Sequence, residues 1–180
     1  VIFEKNSKFQ KRDKYLPLAL ECFDDVTKKD NKYPLGWSNK VVVFVNSGKI
    51  EEAEKIIDIA YAMFPKNPYI LNKKGVVLLC KRNPKEALKY FDKALKLFFQ
   101  EEFLLNKAQA QLNLRQWVQA KETAERLLNY NPEKSEAWAI KGNALRPLHQ
   151  ITMTQICFQN AEKFREKPIS LLEDGGGVEK

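Results

Sequence analysis

The chain has 180 residues, enough to bury a real core in one domain or in a short repeat array. Its 31 Lys and Arg outweigh 23 Asp and Glu, and the formal net charge of +8 admits nucleic acid, anionic membranes or acidic partners without choosing among them. Three scattered cysteines (Cys22, Cys80, Cys157) and one histidine (His149) argue against zinc and for a reducing, cytoplasmic setting, and no apolar run approaches the ~20 residues of a membrane span.

In chain order, VIFEKNSKFQKR opens a ragged helix pair at about 1–11 and 16–28. The next stretch, NKVVVFVNSGKIEEAEKI, is ambiguous. Val41, Val42, Val43, Phe44 and Val45 have the β-branched and aromatic character of a buried strand, whereas the half after Gly48 is helical. Further on, PKEALKYFDKALKLFF places Ala87, Leu88, Phe91, Ala94, Leu95 and Phe98 on one helical face. WVQAKETAERLLNY does the same with Val118, Ala120, Ala124, Leu127 and Leu128. Helix pairs are expected at 34–47 with 51–63, 68–81 with 84–97, 101–113 with 117–129, and 135–146 with 151–164. Pro147 ends the last first helix early. After Pro168, Ile169, Leu171 and Leu172 offer a cap, and Gly175–Gly177 predict a flexible tail over 168–180, or a vector-derived scar. The chain starts at Val1 rather than Met, as expected of a piece of a longer protein, and no signal peptide is visible.

Sliding the sequence over itself exposes a period. Ala19, Ala53, Ala87, Ala120 and Thr154 form a column of small residues with steps of 34, 34, 33 and 34. Phe23, Ile57, Phe91, Ala124 and Phe158 follow four residues later. Val26, Ala60, Ala94, Leu127 and Ala161 come three after those. Upstream lie a mostly large column, Phe3, Trp37, Leu71, Leu104 and Trp138, and then Ser7, Val41, Gly75, Ala108 and Gly142. Pro65 and Pro132 follow second helices. The step of 33 shortens one link, near Phe98 and Phe99.

These columns resemble the tetratricopeptide repeat, W-x2-L-G-x2-Y, then A-x3-F, then P, over about 34 residues. WAIKGNAL and GWSNKVVVFVNSGKIEEAEKIIDIAYAMFP carry the resemblance best, and it spans roughly 1–167. It implies an all-α fold, a right-handed superhelical α-solenoid of about five antiparallel helix-turn-helix units, approximately 1–33, 34–67, 68–100, 101–134 and 135–167. In register, the valine run falls where first helices fall, so it is read as helix despite its β propensity. Val41 departs from the small residue of the family at the helix crossing.

No catalytic constellation is apparent. His149 lacks the partners a triad needs, Cys80 has no nearby base, and the chain has no phosphate-binding glycine loop. A non-enzyme without cofactor, metal or small-molecule substrate is expected. The resemblance implies that first helices line a concave groove that binds a short peptide of a partner protein. Asn39, Asn106 and, shifted by one, Asn72 recur along a line joined by Gln109, Asn113 and Asn143, with Asn46 a turn further along. A side-chain amide both donates and accepts, so it can pair with peptide backbone of any sequence. Lys8 and Lys73, with other cations toward the amino-terminal end, predict a preference for an acidic peptide or a free carboxyl terminus. Lys8, Asn39 and Lys73 partly imitate the carboxylate clamp of chaperone-binding relatives, although Tyr69 and Glu4 interrupt it. Glu102 and Glu136 enter the groove further on. Two alternatives stay open: an RNA-binding helical repeat, against which acids interleaved with Lys89, Lys93 and Lys96 argue, and the interaction arm of a larger enzyme.

Overall fold

Proline opens three of the helices. Pro34, Pro68 and Pro84 stand at first helical positions, where the missing N–H costs no hydrogen bond and φ is already set. Asparagine caps two of them: Asn67 Oδ1 accepts from the backbone N–H groups of Tyr69 and Ile70 at 3.0 and 3.2 Å, and Asn83 Oδ1 from that of Glu86 at 3.3 Å. In this computed structural model, residue 21 and residues 32–165 are described. Lys8, Cys22, the first predicted helix pair and the predicted tail lie outside the described residues.

The chain divides into two compact units, 1–116 and 117–180. The first holds α1 (Pro34–Asn46), α2 (Ile50–Met63), α3 (Pro68–Cys80), α4 (Pro84–Leu97) and α5 (Glu101–Asn113). The second holds α6 (Trp117–Tyr130), α7 (Ser135–Leu145), a 3-10 turn (Arg146–Leu148) and α8 (Ile151–Lys163). Among the described residues there is no strand. Each boundary lies within a residue of the one expected from the sequence. Pro147 does interrupt: α7 stops at Leu145 and the chain tightens into the 3-10 turn.

The valine run is helical. Val41 is fully buried in a cluster with Ala53, Ile57, Ala60, Ile70 and Val77, while Trp37, Phe44 and Val45 pack around it. Burial between α2 and α3 overrides the strand propensity of the segment. At the same position of the next repeat stands Gly75, and a Cβ built there would lie 2.5 Å from Cε1 of Phe91. At Gly142 the ring of Phe158 is 3.0 Å away. Glycine at the crossing thus meets a phenylalanine ring, whereas Val41 shares its cluster with Ile57 in the same second-helix column.

The turns inside the repeats share another feature. Gly48, Arg82, Arg115 and His149 have φ of 75°, 59°, 58° and 57°. They recur at steps of 34, 33 and 34, so His149 is the left-handed residue of its helix turn. Charges also recur. Lys74 pairs with Asp58, Lys107 with Asp92 at 2.7 Å and Lys141 with Glu125 at 2.9 Å, each joining a second helix to the next first helix.

Three sequence expectations change. Val118 does not join the buried face of α6 but is 50% exposed. Phe98 leaves the face of α4, because the helix ends at Leu97 and the chain turns extended, with φ −154° and ψ 131°. That link, 98–100, is one residue shorter than the links 64–67 and 131–134 and has no proline. Cys157, which the sequence places one residue before the large second-helix column and so suggests to be semi-buried, has no exposure at all.

Candidate functional site

In the first unit the first helices α1, α3 and α5 are neighbours, with α3 touching both α1 and α5. They carry most of the predicted amides. Asn39 and Asn46 on α1 are exposed, as are Gln109 and Asn113 on α5, and Asn106 is half-buried. Asn143 is exposed on α7, in the second unit. Asn72 is different. It is fully buried on α3, so it does not face a ligand. The physical reason is its offset by one residue from Asn39 and Asn106, which turns it about 100° around the helix, into the array.

Asn72 is instead the hub of a network. Its Nδ2 donates to Oε1 of Glu102 at 3.2 Å, and its Oδ1 accepts from Nδ2 of Asn106 at 3.1 Å. Lys73 Nζ donates to the same Glu102 oxygen at 2.6 Å. On α5, Gln109 Nε2 donates to Asn113 Oδ1 at 3.0 Å, which leaves the carbonyl of Gln109 and the N–H groups of Asn113 for other partners. The sequence placed Glu102 in the groove but gave it no partner. The signal that finds it is positional: Glu102 stands two before the large residue of its repeat, Leu104, and Asn72 one after Leu71.

This pairing redraws the charge of the face. The sequence between Pro68 and Lys85 contains five cations and no acid. Three of them already hold carboxylates from neighbouring helices: Lys73 holds Glu102, Lys74 holds Asp58, and Lys81 holds Glu54 at 2.6 Å.

The remaining groups with chemical potential sit apart. Cys80 is exposed at the end of α3, yet partial burial pushes its thiol up from the ordinary value, with a backbone hydrogen bond opposing. Burial, the largest cause, also raises the thiol of Cys157, against the opposing pull of Lys141. A raised thiol is mostly protonated at neutral pH and a poor nucleophile. Among the described residues no cluster of three His, Cys, Asp or Glu side chains could hold a metal ion, and no helix is long and apolar enough to cross a membrane. A cleft of about 690 Å³ in the second unit is lined by Asn131, Glu133, Lys134, Ser135, Glu136, Lys163, Phe164 and Arg165.

A family model described as "Tetratricopeptide repeat" matches residues 39–100 and 105–147, more than half of the chain. The chain belongs to the tetratricopeptide repeat family. No curated protein matches it. Solved structures of this family share the fold. PilW, a type IV pilus biogenesis factor, superposes with a TM-score of 0.75 at 23% identity over 88% of this chain and 76% of its own. YrrB, described as a tetratricopeptide protein with an unusual peptide-binding site, gives 0.65 at 18% identity, covering 88% and 82%. A chain of the APC/C hetero-tetramer Cut9–Hcn1 gives 0.75 at 13% identity, covering 83% of this chain and 29% of that one. At these identities the likeness is one of fold. The repeats, read as an all-α solenoid from the sequence, are tetratricopeptide repeats.

Proposed function

We propose that this tetratricopeptide chain is a protein-interaction module, a scaffold or adaptor without catalysis. Its first-helix face takes an extended peptide segment of a partner. The observation that carries this reading is the set of side-chain amides on α1 and α5, Asn39, Asn46, Asn106, Gln109 and Asn113, spaced by three, four or seven residues so that each helix carries its own on one face. An extended peptide exposes alternating N–H and C=O groups, and an amide can satisfy either. The peptide-binding site named for YrrB, which shares the fold, supports the same reading. On the first helices Lys73, Lys74, Lys107 and Lys141 each hold a carboxylate, which favours peptide over RNA on that face.

The test is direct. A library of random octapeptides is panned on the protein and on N39A/N106A/Q109A, with folding of both followed by circular dichroism. Each lost hydrogen bond is worth about 0.5–1.5 kcal/mol, so recovered peptides should bind the triple variant about tenfold more weakly or worse. Equal binding by both proteins rejects the amide face. Tight capture of single-stranded RNA, falling steeply between two salt concentrations, replaces the reading with the RNA alternative.

A further inference from the structure

We propose that the edge of the first unit where α4 ends, Leu97, Phe98 and Phe99 with Lys66, Lys93 and Lys96 near them, docks on an anionic lipid surface. This edge is separate from the peptide face, because it uses the second helices and the links that follow them.

The apolar part is a tip. Leu97, Phe98 and Phe99 are consecutive and 54%, 46% and 39% exposed. A contiguous run of large apolar side chains in water marks an interaction site, whereas scattered single ones do not. Phe99 stands in the register of Pro65 and Pro132, so a phenylalanine replaces the proline of the other links. The tip is firmly seated. The Phe98 ring lies 6.0 Å from that of Tyr69, which in turn packs edge-on at 5.7 Å against the fully buried Phe103. One repeat earlier, in the register of Leu97, Met63 ends α2 and is also exposed. The two helices are neighbours, since the rings of Tyr61 on α2 and Tyr90 on α4 meet edge-on at 5.7 Å.

Cations accompany the tip. Lys89, Lys93 and Lys96 are spaced by four and three residues, on the side of α4 opposite the buried Ala87, Phe91 and Ala94. Lys66 is exposed in the link 64–67. Among the described residues none of these four lysines pairs with a carboxylate, and Lys93 lies over the Tyr90 ring at 5.3 Å. The acids of α2 and α4 are placed elsewhere or engaged. Glu51, Glu52 and Glu86 stand in the first turns of the two helices, at the far ends. Asp58 holds Lys74 and Asp92 holds Lys107. Beyond the tip, Glu102 holds Lys73 and Glu101 is half-buried.

This combination selects its occupant. Lysines that hold no carboxylate attract RNA, acidic proteins and anionic bilayers alike. The aliphatic residues discriminate against RNA, because Leu97 and Met63 offer no ring on which a base can stack. A protein partner needs a cavity shaped to three consecutive side chains. A bilayer takes them into its interface without one, while its headgroups meet the lysines. Docking of this kind needs no helix that crosses the membrane.

The whole chain is mixed with vesicles of phosphatidylcholine, alone or with about 30% phosphatidylserine, and bound protein is read by flotation at low and high salt. The natural protein should float with the mixed vesicles, much less with phosphatidylcholine alone, and less as salt rises. Each lysine near an anionic surface adds about fivefold to binding, so K66Q/K93Q/K96Q should bind about 100-fold more weakly. L97S/F99S should bind about tenfold more weakly, through the apolar area it withdraws. Thermal melts verify each fold, and L97S alone, at the most exposed of the three, should lose about threefold if the double variant melts early. N39A/N106A/Q109A should float as the natural protein does, which keeps this test apart from that of the peptide face. Equal flotation with and without phosphatidylserine overturns the inference, as does full binding by a folded L97S/F99S or L97S protein. Absence of flotation also overturns it: RNA captured by the natural protein but not by K66Q/K93Q/K96Q then assigns the lysines to nucleic acid, and a dimer lost in L97S/F99S assigns the tip to a second copy of the chain.

Discussion

Replacing Gly75 by alanine tests the packing at a single atom. The added Cβ would lie 2.5 Å from Cε1 and 2.8 Å from Cδ1 and Cζ of Phe91. That ring has no exposed side; it sits in a cluster with Ala87 and Ala110, bordered by Val76, Leu78, Leu79 and Leu88. Overpacking of this kind costs about 1–3 kcal/mol, and the short contacts place it toward the upper end. Alanine returns about 1 kcal/mol of helix propensity over glycine. The net expectation is a loss of about 1–2 kcal/mol, read as a Tm lower by about 2–4 °C per kcal/mol for a chain of this size. G142A is the control. Its Cβ would meet Cε1 of Phe158 at 3.0 Å, but that ring is partly exposed and can yield, so G142A should be neutral or stabilising by up to about 1 kcal/mol. G75A combined with F91L should lose less than the sum of the two single losses, with a coupling of about 0.5–3 kcal/mol. Helical circular dichroism followed through heat and urea gives all these values. A G75A protein as stable as its parent, or an additive double variant, would show that the glycine and the ring do not set each other's size.

Other substitutions test the remaining features. N72A should lose about 1–3 kcal/mol in urea unfolding, because it strands the Asn106 and Glu102 groups and opens a gap, whereas N39A at an exposed site should stay within about 0.5 kcal/mol. R82G, R115G and H149G should each raise stability by up to about 1 kcal/mol, since a left-handed side chain costs about 1–2 kcal/mol and the extra freedom of unfolded glycine takes back about 0.4–1. Unchanged melting of all three would mean the turns carry no strain. In a Cys22→Ser background, iodoacetamide should label Cys80 more slowly than free cysteine at neutral pH and faster as pH rises beyond the ordinary cysteine range, because its raised thiol supplies little thiolate below that; Cys157 should react only after unfolding. D92N should cost no more than about 1 kcal/mol, the limit for an exposed pair such as Asp92–Lys107.

The helices were legible because each column repeats one physical demand. Proline and asparagine mark starts, small residues mark crossings, and the period separates the Val41–Val45 helix from the strand it resembles locally. What the columns hid lies between them. Asn72 was grouped with Asn39 and Asn106 by residue type, but one residue of offset turns a side chain by about 100°, enough to exchange a wet face for a dry one. Charges counted along the chain gave a basic stretch from Pro68 to Lys85. In space, carboxylates from neighbouring helices hold Lys73, Lys74 and Lys81, and the apparent bias toward acids shrinks.

The valine at the crossing shows why the pair is the unit of selection. Taken alone, Val41 violates the preference for a small residue where two helices approach. Its neighbour in the core is Ile57, not a phenylalanine, and the two share one cluster with no exposure. Gly75 and Gly142, in contrast, each face a ring. Close packing penalises a void and an overlap alike, so a phenylalanine ring fills the space beside Gly75 and Gly142, and isoleucine stands in that column where the crossing residue is Val41. The fourth repeat, with Ala108 and Ala124 in the two columns, shows that the columns do not hold a constant total volume. By the same reasoning, Val41→Gly alone should destabilise the first unit by opening a cavity, and pairing it with Ile57→Phe should recover part of the loss.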